Sequence, residues 1–411
     1  EAQMRLPHRH GGIGIQQHQP QVSDAAFLSA SALCQDAMRD APCTYQPFES
    51  DEADGLHTRM AAIREEFPTA LPVTSSPEEL VRKDLPALQS KVSHAIAERN
   101  FDTLLEESKA LPFPASIKAC ARLRSCASRA SSAWLSALPT STYLRMSPEE
   151  WRLSVRLNLG LACFQQEASH EEFYTCTCSA IVSSGEEEDH VQTCTSINKV
   201  RTQRHHLEVS SWCRSLARAC MSTSLEPNAA EVEAYASRSA RHSADPSLPP
   251  PPPPPCTHPQ SRGDIWATNA TTRILADVSV VHPTAQQYLL EAADTDGHAA
   301  TARDSEKKRK YLDLCGTAVE VFPLSHEVYG RLGRPALALL GRLGDRAAEG
   351  GATTKAAFVE SCLRDLSVTL RKGNARLLHA YASLATRITG GSILPGLPVG
   401  THEVEAMEGY A

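Results

Sequence analysis

Cys176-Thr-Cys178, His190 and Cys194 place three thiols and one imidazole close together in the chain. Thiolate and imidazole are the donors Zn²⁺ prefers, and four of them close a tetrahedral structural site. Cysteines one residue apart can face one ion across a tight turn, and His190 and Cys194 lie one helical turn apart. A stretch this short has too little core to fold unaided, so a bound ion would supply its stability. The same residues can also be an uncorrelated coincidence, since the chain has 13 cysteines and 16 histidines. Glu186-Glu-Glu-Asp189 inside the loop reads as a solvated acidic tip that disfavours DNA there. Beyond it, Lys199, Arg201, Arg204, Arg214 and Arg218 against Glu208 read as a phosphate-facing strip or, equally, a solvated helix face.

A second set of residues suits phosphodiester hydrolysis. Asp264 and Asp277 sit in Arg262-Gly-Asp264 and Leu275-Ala-Asp-Val-Ser279. If the two segments form an antiparallel hairpin, the start of one strand lies beside the later part of the other, and the two carboxylates can share a divalent ion. Side chains alternate along a strand, so Asp277 and Ser279 share a face while Ala276, Val278 and Val280 fill the other. An aspartate within an apolar strand is costly unless it is paired or metal-bound. Downstream, Lys307, Lys310 and Tyr311 fall on one face of a helix. Two carboxylates, Mg²⁺ and a lysine are the minimal set for this chemistry. The bland alternatives are an aspartate capping a turn and a solvated basic face.

These residues need elements to position them. The chain has 411 residues, enough for two or three domains. Lys+Arg 41 against Asp+Glu 48 gives a net charge of −7, which excludes a binder that is basic throughout. No apolar run is long enough to span a bilayer, and the first residues do not read as a signal peptide. Localisation is therefore expected to be nuclear or cytoplasmic, not secreted or membrane-bound, with free thiols rather than a disulfide framework.

Gly11-Gly-Ile-Gly14 reads as a packing turn before a helix over 23–38, since it lacks a P-loop's strand and Lys-Ser/Thr. Residues 86–161 read as helical. Ser147 serves as N-cap with Pro148 at N1 and Glu150 closing a capping box; Trp151, Val155 and Leu159 are expected to face inward, and Gly160 ends the helix. Trp134 and Trp151 are expected to pack in the core. Further elements expected are a helix over 206–221, strands over 264–268, 273–281 and 318–323, and helices over 285–293 and 302–314. Two tail helices are expected, separated by Gly373. The prolines Pro249 to Pro255 must be extended polyproline II, either a spacer or a site for an SH3-like or profilin-like partner.

In order, these motifs resemble the C-terminal part of a non-LTR (LINE-type) retrotransposon polyprotein that carries a restriction-like endonuclease. Leu6-Pro7 with Gly11-Gly-Ile-Gly-Ile15 resembles the segment after the reverse-transcriptase thumb. Ser132-Ala-Trp-Leu135 with Leu138-Pro139 resembles the helical linker, and Cys176, Cys178, His190 and Cys194 resemble the CCHC knuckle. Arg262-Gly-Asp264, Ala276-Asp-Val-Ser-Val-Val281, Lys307-Lys-Arg-Lys-Tyr311, Val321-Phe-Pro-Leu324 and Glu327-Val-Tyr-Gly-Arg-Leu-Gly333 resemble the endonuclease signature.

The resemblance implies an α+β, mainly helical chain: helical linker, zinc knuckle, a small PD-(D/E)XK-type mixed-sheet nuclease core and a helical C-terminal tail. The expected divisions are 1–85 (remnant after the thumb, partly linker), 86–165 (helical linker), 168–206 (knuckle), 207–333 (endonuclease, with a Pro-rich insert over 243–262) and 334–411 (tail). It implies Mg²⁺ at Asp264 and Asp277, a lysine displaced to Lys307 with Lys310 and Tyr311 beside it, and structural Zn²⁺ in the knuckle. DNA, and the element's RNA, are the implied partners, and the nick would supply a primer for reverse transcription. Gly263 departs from the family's proline, and the proline tract from its ordered approach to the core. No Tyr/Phe-x-Asp-Asp polymerase box is present, so the chain reads as a C-terminal fragment or truncated copy that cannot copy RNA. Two other readings are a catalytically dead, zinc-dependent nucleic-acid-binding remnant and a helical interaction protein that uses the proline tract.

Overall fold

A computed structural model describes residues 1–15, 19–37, 53–71, 79–164, 173–183, 186–226, 263–311, 319–351 and 353–389. Arg262 and the proline tract lie outside the described residues. The chain divides into two compact units, Glu1–Ser116 and Ile117–Ala411. The division falls within the stretch 86–165 read above as one helical piece.

In the first unit, helices α1 (Pro20–Ala37), α2 (Ala53–Glu66) and α3 (Leu88–Lys109) enclose Leu28, Ile63, Leu71, Leu85 and Val92. The glycine-rich turn is a packing turn, tied down by the Gln3 amide donating to the Gly11 carbonyl at 2.9 Å.

The second unit opens in α4 (Ala115–Cys126) and continues into α5 (Pro148–Leu159). Ser147 and Glu150 form the expected capping box, and Gly160 ends α5 at a φ of 64°. Its buried face differs from the one expected. Leu153, Ser154, Leu157 and Asn158 are buried, while Trp151 is 44% exposed. Trp151 lies against the buried Trp134 at 4.7 Å and covers it rather than entering the core.

Strands β1 (Phe173–Thr175) and β2 (Ile181–Ser183) pair antiparallel, followed by α6 (Glu187–Thr193) and α7 (Asn198–Arg218). The main sheet has the order β3 (Ser222–Leu225), β4 (Ile265–Thr268), β5 (Arg273–Val281), β6 (Glu320–Glu327). The pairs β3–β4 and β4–β5 are antiparallel and β5–β6 is parallel, so the fold is mainly helical with one small mixed sheet. Strand β3 was not expected: its residues are short, mostly polar and exposed, leaving no alternation to read. Pro323 sits inside β6, which tolerates it because β6 is an edge strand.

Helices α8 (Leu289–Asp294) and α9 (His298–Lys310) link β5 to β6, with shifted boundaries relative to the expected 285–293 and 302–314. Helices α10 (Arg334–Glu349) and α11 (Lys355–Thr389) complete the unit. One core gathers Trp212 and Leu216 of α7, Ile274, Ala276 and Val278 of β5, Leu339 of α10 and Leu366 of α11. On the other side of β5, Leu275 packs with Tyr311 and Val319. Both faces of β5 are therefore covered, with Asp277 on the face opposite Ala276 and Val278.

Gly373 does not separate two tail helices; α11 is continuous through it. A Cβ at that position would lie 2.5 Å from Arg204 Cγ, so the glycine permits close approach of α7 rather than a break.

Candidate functional site

The tight turn between β1 and β2 carries Cys176 and Cys178, with Ser179 in a left-handed conformation at a φ of 70°. His190 lies on α6 and Cys194 at its end. The Cys176 and Cys194 sulfurs are 3.6 Å apart, and Cys178 Sγ lies 3.4 Å from His190 Nε2. All four donor atoms fall within 4.8 Å of one another, an arrangement that can hold a metal ion. Burial lowers the pKa of His190, favouring the neutral imidazole that ligates metals. Burial pushes Cys176 up, but hydrogen bonds from the Cys178 backbone and the neighbouring thiols outweigh it and hold the thiol below its ordinary value. Cys194, in contact with it, is pushed up to about 11 by burial and by Cys176, so of this pair Cys176 is the thiol held toward the metal-binding thiolate.

The acids before His190 are not the solvated tip expected. Glu188 accepts from the Cys163 backbone N–H. Asp189 accepts from Thr284 Oγ1 at 2.6 Å and from His282 Nε2 at 3.0 Å, and Lys118 lies 2.9 Å away. Placed in the first turn of α6, these carboxylates face the positive end of the helix while bonding to the neighbouring core.

The second cluster forms where β4 and β5 begin their pairing. Ile265 stands opposite Ala276, so Asp264, just before β4, lies beside Asp277; its backbone N–H donates to the Ala276 carbonyl at 3.1 Å. The Val278 backbone N–H donates to Asp264 Oδ2 at 2.6 Å, and His205 Nε2 donates to Oδ1 at 3.2 Å. Lys307 Nζ donates to Asp277 Oδ1 at 2.6 Å, and the Tyr311 hydroxyl to Oδ2 at 2.6 Å. Lys310 Nζ lies 3.5 Å from Asp277 Oδ2 and donates to the Tyr311 oxygen at 2.9 Å. The structure thus gathers Asp264, Asp277, Lys307, Lys310 and Tyr311 into one cluster. A cleft of about 420 Å³ opens over both aspartates, walled by Arg201, Thr202 and His205 of α7 and by Arg303, Lys307 and Lys310 of α9.

The electrostatics follow from these contacts. Burial pushes Asp264 up, but the His205 hydrogen bond and charge, with the Val278 amide, hold it below its ordinary range. His205 is raised in turn, chiefly by its bond to Asp264. Burial and the charge of Asp277 push the Tyr311 phenol well up, so it remains a donor.

His205 and Arg303 were not singled out from the sequence. The signal for His205 was the polar face formed by Asn198, Arg201, Thr202 and His205 at helical spacing, which also line the cleft. The basic strip read after the knuckle forms only at its start, where Lys199 is exposed and Arg201 lines the cleft. Arg204 is buried and donates to Gln192 and Asn374 at 2.6 and 2.7 Å. Arg214 and Arg218 close on the buried Asp365, and Glu208 pairs with His326 in the interior. The physical reason is that α11 packs against α7 and takes up Arg204, Arg214 and Arg218, while Lys199 stays exposed and Arg201 faces the cleft.

No protein-family model matches this chain, and no curated protein matches it. Among the described residues, no helix is long and apolar enough to cross a membrane.

Proposed function

We propose that this chain is a Mg²⁺-dependent endonuclease module that nicks DNA, carried beside a Zn²⁺ knuckle and derived from a LINE-type retrotransposon without its polymerase. One observation carries the reading: Asp264 and Asp277 meet across the β4–β5 pair, with Lys307 on Asp277, at the floor of a cleft walled by cations. This is compatible with a PD-(D/E)XK-type core.

The donor set fits a hard divalent cation. Both donors are carboxylates of residues that line the cleft, and each oxygen keeps lone-pair capacity beyond its protein hydrogen bond, though Asp277 is only 3% exposed. Mg²⁺ held by Asp264 and Asp277 would lower the pKa of a bound water and offset charge on the phosphoryl group. The Val278 amide and His205 orient Asp264. Lys307 and Tyr311 orient Asp277, and the Lys307 ammonium, together with Lys310, supplies positive charge where a phosphate would enter. Cys176, Cys178, His190 and Cys194 would hold Zn²⁺ as a closed structural site. DNA is the expected partner, with the element's RNA as a further one, in the nucleus or cytoplasm.

The test is nicking of supercoiled plasmid in Mg²⁺ by the full chain and by Asp277→Ala. Loss of nicking in the variant supports the reading, and equal activity overturns it. The second reading is the inert, metal-held nucleic-acid-binding remnant, favoured by the donors already occupying both oxygens of Asp277. It requires salt-sensitive binding without cleavage. The reading based on the proline tract concerns residues outside those described.

A further inference from the structure

We infer that Arg303 is a substrate-binding residue that holds the phosphate next to the scissile one on the same polynucleotide strand. The inference rests on the nuclease reading for which phosphate is cut, and its observations are separate from the carboxylate pair. Arg303 lies on α9, one turn before Lys307, and both line the cleft over the aspartates. Its Nε is 3.4 Å from Ser279 Oγ, and Ser279 follows Asp277 by two residues on β5, on the same face of the strand. The pairs Lys307–Asp277 and Arg303–Ser279 therefore run side by side along β5. They are spaced by one turn of α9, about 6 Å, and by two strand residues, about 7 Å. That spacing approximates one nucleotide step.

The partners of Arg303 leave it available to a phosphate. Ser279 is neutral, and the ion pair with Glu306 is a surface pair in which Glu306 is 54% exposed and Arg303 31%. Such pairs are weak and screened by salt. By contrast Arg214 and Arg218 close on a carboxylate that is only 1% exposed. A guanidinium so placed can grip phosphate oxygens bidentately, and Glu306 competes with the phosphate for it.

The experiment measures binding of a fluorescein-labelled DNA duplex and its single strand by the full chain, without Mg²⁺, over a salt series. The slope of log affinity against log salt should fall by about one phosphate contact in Arg303→Ala, with several-fold weaker binding at low salt. Arg303→Lys should keep the slope, and Glu306→Gln should bind tighter than the parent. A slope and affinity in Arg303→Ala equal to the parent's would overturn the inference, as would weaker binding accompanied by a lowered melting temperature. If Asp277→Ala nicks as well as the parent while Arg303→Ala still lowers the slope, the hydrolase reading fails and the phosphate contact stands. If nicking depends on Asp277 and the slope is unmoved, the reverse holds.

Discussion

Arg204 passes directly over Gly373, its Cγ 2.5 Å from where a Cβ would be, and both of its hydrogen-bond acceptors, Gln192 and Asn374, hold its head in place. The contact joins α7 to α11 through the stem of a side chain whose head is fixed. In an exposed helix interior, glycine to alanine stabilises by about 1 kcal/mol. Here the sign reverses: Gly373→Ala should destabilise by about 1–3 kcal/mol, the usual cost of overpacking. Urea denaturation of the two proteins measures it.

Asp304 is only 4% exposed, and burial pushes its carboxyl up to about 6 even though Ser325 beside it pulls the other way. The folded state therefore binds this proton more tightly than the unfolded chain, whose value is near 3.8. Its contribution to stability is full below that value, is lost as pH rises through about 6, and stays lost above. Asp304→Asn removes the penalty for the buried charge. At pH 8 the variant should be more stable by about 2–3 kcal/mol, and at pH 3.5 the difference should vanish. Thermal melts at the two pH values decide it.

Purified protein is expected to carry one zinc per chain, detected by elemental analysis. Cys178→Ser and His190→Ala should each lose the metal, because a closed site needs all four donors. Chelation should lower the melting temperature of the parent but not of these variants, which makes metal content and stability one measurement.

Arg214 donates to both oxygens of the buried Asp365, at 3.0 and 2.6 Å. Removing it leaves the buried carboxylate only the longer contacts, to Arg218 at 3.3 Å and Thr369 at 3.5 Å, so Arg214→Ala should cost about 1–3 kcal/mol. It should leave the salt slope of DNA binding unmoved, since this arginine is structural. A reduced slope would restore it to a phosphate-facing strip.

Ser147→Ala removes the hydroxyl that accepts from the Glu150 backbone N–H at 3.1 Å. A loss of about 1 kcal/mol is expected in denaturant melts.

Local chemistry was legible in the chain itself. The cap at Ser147 with Pro148, the stop at Gly160 and the alternation that puts Asp277 opposite Ala276 and Val278 depend on neighbours in sequence, where backbone geometry is set by residue type. The pairing of Asp264 with Asp277 was also legible, because a hairpin's register follows from its turn; Asn269 accepts there from the N–H groups of Thr271 and Thr272. The four metal-donor residues could be picked out by type and spacing, and folding brought them within reach of one ion.

Contacts between distant segments were decided only by tertiary packing. Sequence spacing cannot tell whether Arg214 faces water or Asp365, whether Gly373 breaks a helix or admits Arg204, or that Trp151 stays outside its helix's buried face. Nor does it reveal His205 against Asp264 or Arg303 against Ser279. Each of these depends on which element covers which face, and that is settled by burial of apolar surface summed over the whole unit rather than by any local stretch of chain.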